Sequence, residues 1–280
     1  MARYIDVSVH NGSIDFNKVK SAGITGVIIR AGYGRYISQK DKRFEENYKK
    51  AKAAGLKVGT YWYSYAVNQA QASEEAKVFL QAVKGKKFEL PVAYDVEDIS
   101  QSGLSSSAVG GICQTFMQSV QSAGYYISIY SMSSWLGTKI PSYILNKYDV
   151  WVAHYGVDRP AYKGAYGMWQ YTSTARINGI STNVDCNKVY KDYPSIITKA
   201  GLNGYKKTSA STKKTTTTTK KSASTKNKSA TTKKKSVNEL AKEVIAGKWG
   251  NNPAREKKLK AAGYNYEAVQ AEVNRILQHK

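Results

Sequence analysis

Two carboxylates one residue apart, Asp95 and Glu97, follow the apolar run Leu90-Pro91-Val92-Ala93-Tyr94. A continuous apolar run that stops at acids reads as a buried strand whose last residues emerge at a surface. Side chains alternate across a strand, so residues i and i+2 share a face, about 7 Å apart along the backbone. Two carboxyl groups facing one space suit the cleavage of a glycosidic bond. One gives a proton to the departing oxygen, and the other stabilises or captures the carbon left behind. The same residues, followed by Asp98 and Ile99-Ser100, also describe a solvated acidic loop. Other acids have to decide between the two readings.

Those acids come from the elements around the pair. Eight strand-like runs are spaced along residues 1–205. They are Tyr4-Ile5-Asp6-Val7, Gly26-Val27-Ile28-Ile29-Arg30, Lys57-Val58-Gly59-Thr60-Tyr61 and Pro91-Val92-Ala93-Tyr94-Asp95, then Tyr126-Ile127-Ser128-Ile129-Tyr130, Val150-Trp151-Val152-Ala153, Gly167-Met168-Trp169-Gln170-Tyr171 and Asn183-Val184-Asp185-Cys186. Helical stretches separate the early ones: Asp41 to Ala54, Ala70 to Lys84 and Ser106 to Ala123, each followed by a glycine (Gly55, Gly85, Gly124) suited to a helix C-terminus. In the third stretch Val109, Ile112, Cys113, Phe116 and Val120 recur at helical spacing and should face a sheet. After Tyr130 the connections shorten and helix signals weaken. The pattern predicts an α/β fold, an irregular (β/α) TIM-like barrel of eight strands with reduced later helices. A doubly wound open sheet is the alternative, but no glycine-rich phosphate loop favours it. In a barrel of this kind the C-terminal strand ends face the site. Asp6 stands at the end of the first strand and Asp185 at that of the eighth, neighbours once a barrel closes. Four acids then converge on one mouth, and crowding keeps at least one of them protonated near neutral pH.

Charge and composition bound the rest. The net charge of +23 is unevenly spread: residues 206–235 hold 11 Lys and no acid, and 1–205 hold 24 basic and 15 acidic residues. A basic chain points to a polyanionic partner. Nucleic acid is disfavoured, because the basic tract lacks interleaved aromatics; anionic wall polymers fit a flexible basic tether better. The two cysteines, Cys113 and Cys186, form neither a disulfide framework nor a zinc site. The three histidines, His10, His154 and His279, have no metal-partner pattern; neither metal nor cofactor is expected. No apolar stretch reaches the ~18 residues of a membrane span. The N-terminus enters a strand at once without a signal-peptide pattern. The expectation is synthesis in a cytoplasm, with release to any outside target by another agent.

Asp6-Val7-Ser8, Asn11-Gly12 and Ile14-Asp15-Phe16 closely resemble the opening signature of glycoside hydrolase family 25, the muramidases or Chalaropsis-type lysozymes. Gly59-Thr60-Tyr61-Trp62-Tyr63, Asp95-Val96-Glu97, Trp169-Gln170-Tyr171 and Val184-Asp185 follow in that family's order, over about residues 3–195. The resemblance implies cleavage of the β-1,4 bond between N-acetylmuramic acid and N-acetylglucosamine in peptidoglycan. It implies Glu97 as general acid and Asp95 as the group that stabilises the substrate's N-acetyl group or the intermediate derived from it, with direct nucleophilic attack as the competing scheme. Asp6 and Asp185 would position substrate and tune the pair. Among 22 Tyr and 5 Phe, Tyr61, Tyr63, Tyr130 and Trp151 are groove candidates by family position, since amphipathic rings suit sugar faces; packing in the barrel is the alternative for each.

Residues 206–235 are a low-complexity Thr/Ser/Ala/Lys stretch, expected to be a disordered tether. Residues 236–280 read as a three-helix module. Ser236 with Glu239 forms a capping box; Asn252-Pro253 opens a second helix, which Gly263 ends; Asn265 caps a third carrying Val269, Val273, Ile276 and Leu277. The segment resembles the short cell-wall-binding repeat found behind some phage lysozymes, carried by Ser236-Val237-Asn238-Glu239-Leu240-Ala241, Gly247-Lys248-Trp249-Gly250 and Ala262-Gly263-Tyr264 onward. Trp249, Arg255 and Tyr264 are its candidate ligand contacts, with a mini-core role as the alternative for the two aromatics. The whole implies a peptidoglycan hydrolase of the phage endolysin kind. The alternatives are a bacterial autolysin of the same chemistry and a non-catalytic peptidoglycan-binding protein.

Overall fold

In a computed structural model the described residues are 3–207, 235–245, 248–249 and 254–278. The chain divides into two units, Met1–Thr212 and Lys213–Lys280. Most of the expected tether at 206–235 lies outside the described residues, as does Asn252-Pro253.

In the first unit, eight strands close into a barrel in sequence order: β1 (Arg3–Val7), β2 (Gly26–Tyr33), β3 (Lys57–Tyr63), β4 (Val92–Asp95), β5 (Ile127–Met132), β6 (Asp149–Ala153), β7 (Met168–Ala175) and β8 (Val184–Val189). The helices are α1 (Phe16–Ser21), α2 (Phe44–Ala53), α3 (Gln69–Val83), α4 (Ser106–Ser122), the single turn α5 (Ser142–Leu145) and α6 (Tyr193–Ala200). The early crossovers carry full helices and the later ones do not, as expected.

Alternation along each strand sorts its side chains. On β1, Ile5 and Val7 pack outward into the layer under the helices, while Tyr4 and Asp6 turn into the barrel. On β4, Tyr94 and Val96 belong to the outer layer and Ala93 to the inner one, leaving Asp95 on the inner face. The α4 residues Val109, Ile112, Cys113, Phe116 and Val120 are all fully buried. Phe116 stacks on Tyr94, centroids 3.7 Å apart and planes 7° from parallel. Truncating Phe116 to Ala would cost about 3–5 kcal/mol, and would loosen the strand that carries Asp95.

One expectation needs correction. The strands run parallel from β1 to β7, but β8 is antiparallel to both β7 and β1. Asp185 therefore opens β8 instead of ending it. It reaches the same mouth because the strand runs the other way. Only residues 176–183 separate β7 from β8, too few for the crossover that parallel strands need and ample for an antiparallel return. Asn11 fastens this connection, donating from Nδ2 to the carbonyl of Asn183 (3.0 Å) and to Thr182 Oγ1 (3.2 Å). Gly179 sits at φ +99°, and a Cβ there would meet the carbonyl oxygen of Asp15 at 2.4 Å, so only glycine fits this turn.

The second unit contains α7 (Val237–Ile245), α8 (Ala254–Ala261) and α9 (Tyr266–Gln278). Two of the predicted caps fall on described residues and are present. Ser236 and Glu239 exchange hydrogen bonds as a capping box, with the Ser236 N–H to Glu239 Oε2 at 2.8 Å. Asn265 Oδ1 accepts the N–H of Ala268 at 2.9 Å. Leu240, Ala241, Val244, Leu259, Val269 and Val273 form its core.

Candidate active site

The four predicted acids meet. Asp6, Asp95, Glu97 and Asp185 line one cavity of about 620 Å³ at the barrel mouth. Asp6 and Asp185 lie directly opposite each other in the β1–β8 register. Asp95 ends β4, and Glu97 follows past the buried Val96. Two-residue spacing returns Glu97 to the same side.

The acids differ in what holds them. Asp6 is buried; its Oδ2 accepts from Asn187 Nδ2 at 2.8 Å and Gln170 Nε2 at 2.9 Å. Burial and the charge of Asp185 raise its pKa well above the usual carboxylate range, against the pull of those amides. Asp185 is itself raised by burial, while a hydrogen bond shared with Asp6 pulls it the other way. Asp95 is buried too, and its Oδ1 has no hydrogen-bond partner among the described residues. Burial, then Glu97, then Asp6 raise its pKa well above normal, while Arg30 pulls the other way. Burial, with Asp185 and Asp98 beside it, pushes Glu97 up to about 7. Asp98 is itself lowered: hydrogen bonds involving Ser100 and Tyr63 outweigh its burial. Glu97 thus keeps its proton at near-neutral pH beside carboxylates that resist ionising, the condition for a general acid.

All four aromatic candidates line the cavity, in two ways. Tyr61 and Tyr63 are half-buried and offer surface. Trp151 is 1% exposed; its Nε1 donates to Asn187 Oδ1 at 2.7 Å, and its ring packs edge-on to Tyr130 at 4.7 Å. Tyr130 is buried as well and donates to Gln170 Oε1 at 2.8 Å. These two form the floor beneath the acids. Burial limits what they can present to a sugar.

Several site residues lay outside the sequence prediction. Gln170 and Asn187 tie Asp6 to the floor, each donating to its carboxylate and accepting from Tyr130 or Trp151. Asn187 follows Asp185 by two residues on β8, so the period of a strand could have found it. Arg30 lines the cavity, its Nε donating to the buried Asp41 at 2.9 Å, while Asp41 also accepts the N–H of Val9 at 3.0 Å. Tyr155, in the loop after β6, donates to Gln170 Oε1. No sequence period marks a loop residue like this. Among the described residues, no group of three or more His, Cys, Asp or Glu is arranged to hold a metal ion, and no helix is long and apolar enough to cross a membrane.

In the second unit, Trp249 and Tyr264 meet edge-on at 6.2 Å and pack against its core. Trp249 Nε1 donates to Glu243 Oε2 at 3.0 Å, and Arg255 Nη1 to Gln270 Oε1 at 3.1 Å. The aromatics therefore serve the mini-core that was their alternative.

The sequence profile of glycosyl hydrolases family 25 matches residues 5–180, and that of the CW_7 repeat matches residues 238–277. The autolytic lysozyme of Clostridium acetobutylicum is 29% identical over 184 residues, 66% of this chain and 54% of that one. The lysozyme of Streptococcus phage Cp-7 is 24% identical over 98% of this chain and 69% of its own. The crystal structure of the bacterial lysozyme from Streptomyces coelicolor superposes with a TM-score of 0.62 at 30% identity, covering 71% of this chain and 96% of that one. The chain spans about half the length of the clostridial relative.

Proposed function

The chain belongs to glycosyl hydrolase family 25, and from that premise we propose that it is a muramidase that cuts peptidoglycan between N-acetylmuramic acid and N-acetylglucosamine. The observation that carries the reading is the pair on β4: an acid held near pKa 7 at Glu97 beside a buried carboxyl oxygen of Asp95 that lacks a partner.

In this scheme Glu97 gives its proton to the bridging oxygen as the C1–O bond breaks. The neighbouring acetamido oxygen closes on C1, and the resulting oxazolinium holds its N–H toward Asp95. The unpaired Oδ1 supplies the acceptor that this N–H needs. Cationic charge on the sugar then favours the ionised form of Asp95, a gain that burial enlarges. Water attacks C1 and yields a proton to the Glu97 carboxylate, which restores the acid. Asp185 and Asp98 place negative charge near Glu97 and hold its pKa up, and Asp6 positions Asp185 across the β1–β8 seam. Tyr61 and Tyr63 are assigned to sugar contact.

We assign 1–205 to catalysis, 206–235 to a tether and 236–280 to wall binding, the last supported by the CW_7 match. A match across 98% of this chain to a phage lysozyme supports an endolysin, made in a host cytoplasm and active on the wall after release. The Lys-rich tether is assigned to anionic wall polymers; wall binding should then weaken steeply with salt. The catalytic reading is tested by clearing of purified cell walls. Wild type should clear them and Glu97→Gln should not, though both bind. Equal clearing by the two would end the assignment of Glu97.

A further inference from the structure

A buried cation is built into this acidic mouth. Arg30 shares the inner face of β2 with Ile28 and lines the cavity. Its side chain is 13% exposed, and that of its partner Asp41 is 0% exposed. Asp41 borders a neighbouring hollow and not the cavity. Besides Arg30 Nε, the Asp41 carboxylate accepts the N–H of Val9 at 3.0 Å and that of Arg43 at 2.9 Å. Three donors thus quench the negative end of the pair, on the side away from the acids. The Nη groups of Arg30 make no hydrogen bond among the described residues, so the positive end is left to act on the cavity. Around Asp95 the other titratable groups are carboxyls or phenols: Asp6 from β1, Tyr61 and Tyr63 from β3, Glu97 and Asp98 past its own strand, Tyr130 from β5 and Asp185 from β8. His10 and Arg176 also line the cavity, but both are exposed, where water screens them; a buried guanidinium is screened far less.

We propose that Arg30, anchored by Asp41, is a positioning residue that acts through Asp95: a fixed counter-charge that makes the Asp95 carboxylate available to the reacting sugar without occupying it. The proposal rests on the muramidase reading, in which that carboxylate faces the oxazolinium N–H. The separation is what makes the device work. Arg30 forms its ion pair with Asp41 and none with Asp95. A direct pair would take up Asp95 Oδ1, the oxygen that has no partner among the described residues. A guanidinium set back from it favours the charged form and leaves that oxygen open. Burial and the neighbouring acids raise the pKa of Asp95, and Arg30 pulls it down. Loss of the cation therefore raises it further, and the carboxylate is reached only at higher pH. Glu97 is held up by burial, Asp185 and Asp98, so the falling limb of the pH–rate profile stays near 7. The profile should close from its acidic side alone.

The test measures kcat of the full chain on purified walls across the acidic and neutral range, counting new reducing ends on muramic acid. In Arg30→Gln the rising limb should move up by on the order of one pH unit, the shift that one nearby opposite charge produces. At a pH on that limb the rate then falls about tenfold. Arg30→Lys keeps the charge and should recover most of the shift, which a purely structural role for the side chain would not do. Arg30→Gln leaves Asp41 buried without its counter-ion, a loss that endangers the fold. The double variant Arg30→Gln with Asp41→Asn removes both charges, and its rising limb should move in the same direction. A rising limb that stays at the wild-type pH in both glutamine variants would overturn the proposal. An equal shift in Arg30→Lys would do the same, and in either case reducing muramic acid in the digests leaves the muramidase reading standing. Absence of reducing muramic acid from wild-type digests at every pH would overturn both.

Discussion

The β1–β8 seam and the end of β4 each bring two acids to one cavity, and they treat them differently. At the seam, Asp6 faces Asp185 in register and is pinned by the amides of Asn187 and Gln170. At β4, Asp95 has a buried oxygen without a partner among the described residues, and Glu97 is lifted to about 7. A satisfied acid is part of the scaffold. An unsatisfied buried acid stores a demand that only a ligand meets. The contrast assigns chemistry to the β4 pair and tuning to the seam pair.

The largest expected effect breaks the contrast outright. Glu97→Gln should lower kcat about 10²–10⁴-fold, with wall binding unchanged in a sedimentation assay. Asp95→Asn should follow at about 10²–10³-fold, the cost of one misplaced charge-stabilising group. The seam pair should respond in pH dependence more than in rate. Wild-type kcat should fall as pH rises through about 7, because the proton on Glu97 is the one delivered. Removing the neighbouring negative charge with Asp185→Asn lets Glu97 ionise more readily, so the falling limb should move to lower pH. A pH–rate profile checks both statements.

A smaller effect appears in stability. The Glu97 pKa is raised from 4.5 to about 7 in the fold. Between those values the folded chain holds more of the proton than the unfolded chain, so this group costs stability as pH rises from about 4.5 to 7, and the cost is complete above 7. Tm of the barrel's transition should therefore drop over that window, and less in Glu97→Gln. The difference should be about 2–4 °C for each 1 kcal/mol removed. The smallest effect is that of Tyr63→Phe. It removes the 3.1 Å hydrogen bond from the tyrosine hydroxyl to Asp98, worth about 1 kcal/mol, and should change kcat/KM by no more than several-fold.

Much of this site was legible in the chain because strands report themselves with a period of two. Asp95 and Glu97 flank an outward Val96, and Asp6 sits between outward Ile5 and Val7; alternation alone puts all three acids inward. The α4 face was legible from its helical spacing for the same kind of reason. The direction of β8 is set by the short 176–183 connection, a constraint that strand count alone does not carry. Trp151 and Tyr130 are a different case: burial of an aromatic depends on what closes over it, and here that is Asn187 and Gln170, from strands far along the chain. Tyr155 enters the site from a loop, which leaves no periodic trace, whereas Arg30 shares the inner face of β2 with Ile28 and was open to the same period-of-two reading. The second unit was legible in its caps, Ser236 with Glu239 and Asn265, because capping is a local interaction within three residues.

The central claim is that the β4 pair cleaves the bond on the reducing side of muramic acid. Mass spectrometry of peptidoglycan digested by the full chain tests it most directly. The account predicts fragments with new reducing ends on N-acetylmuramic acid, absent from digests with Glu97→Gln. Fragments ending in reducing N-acetylglucosamine, or released peptides with intact glycan strands, would contradict it.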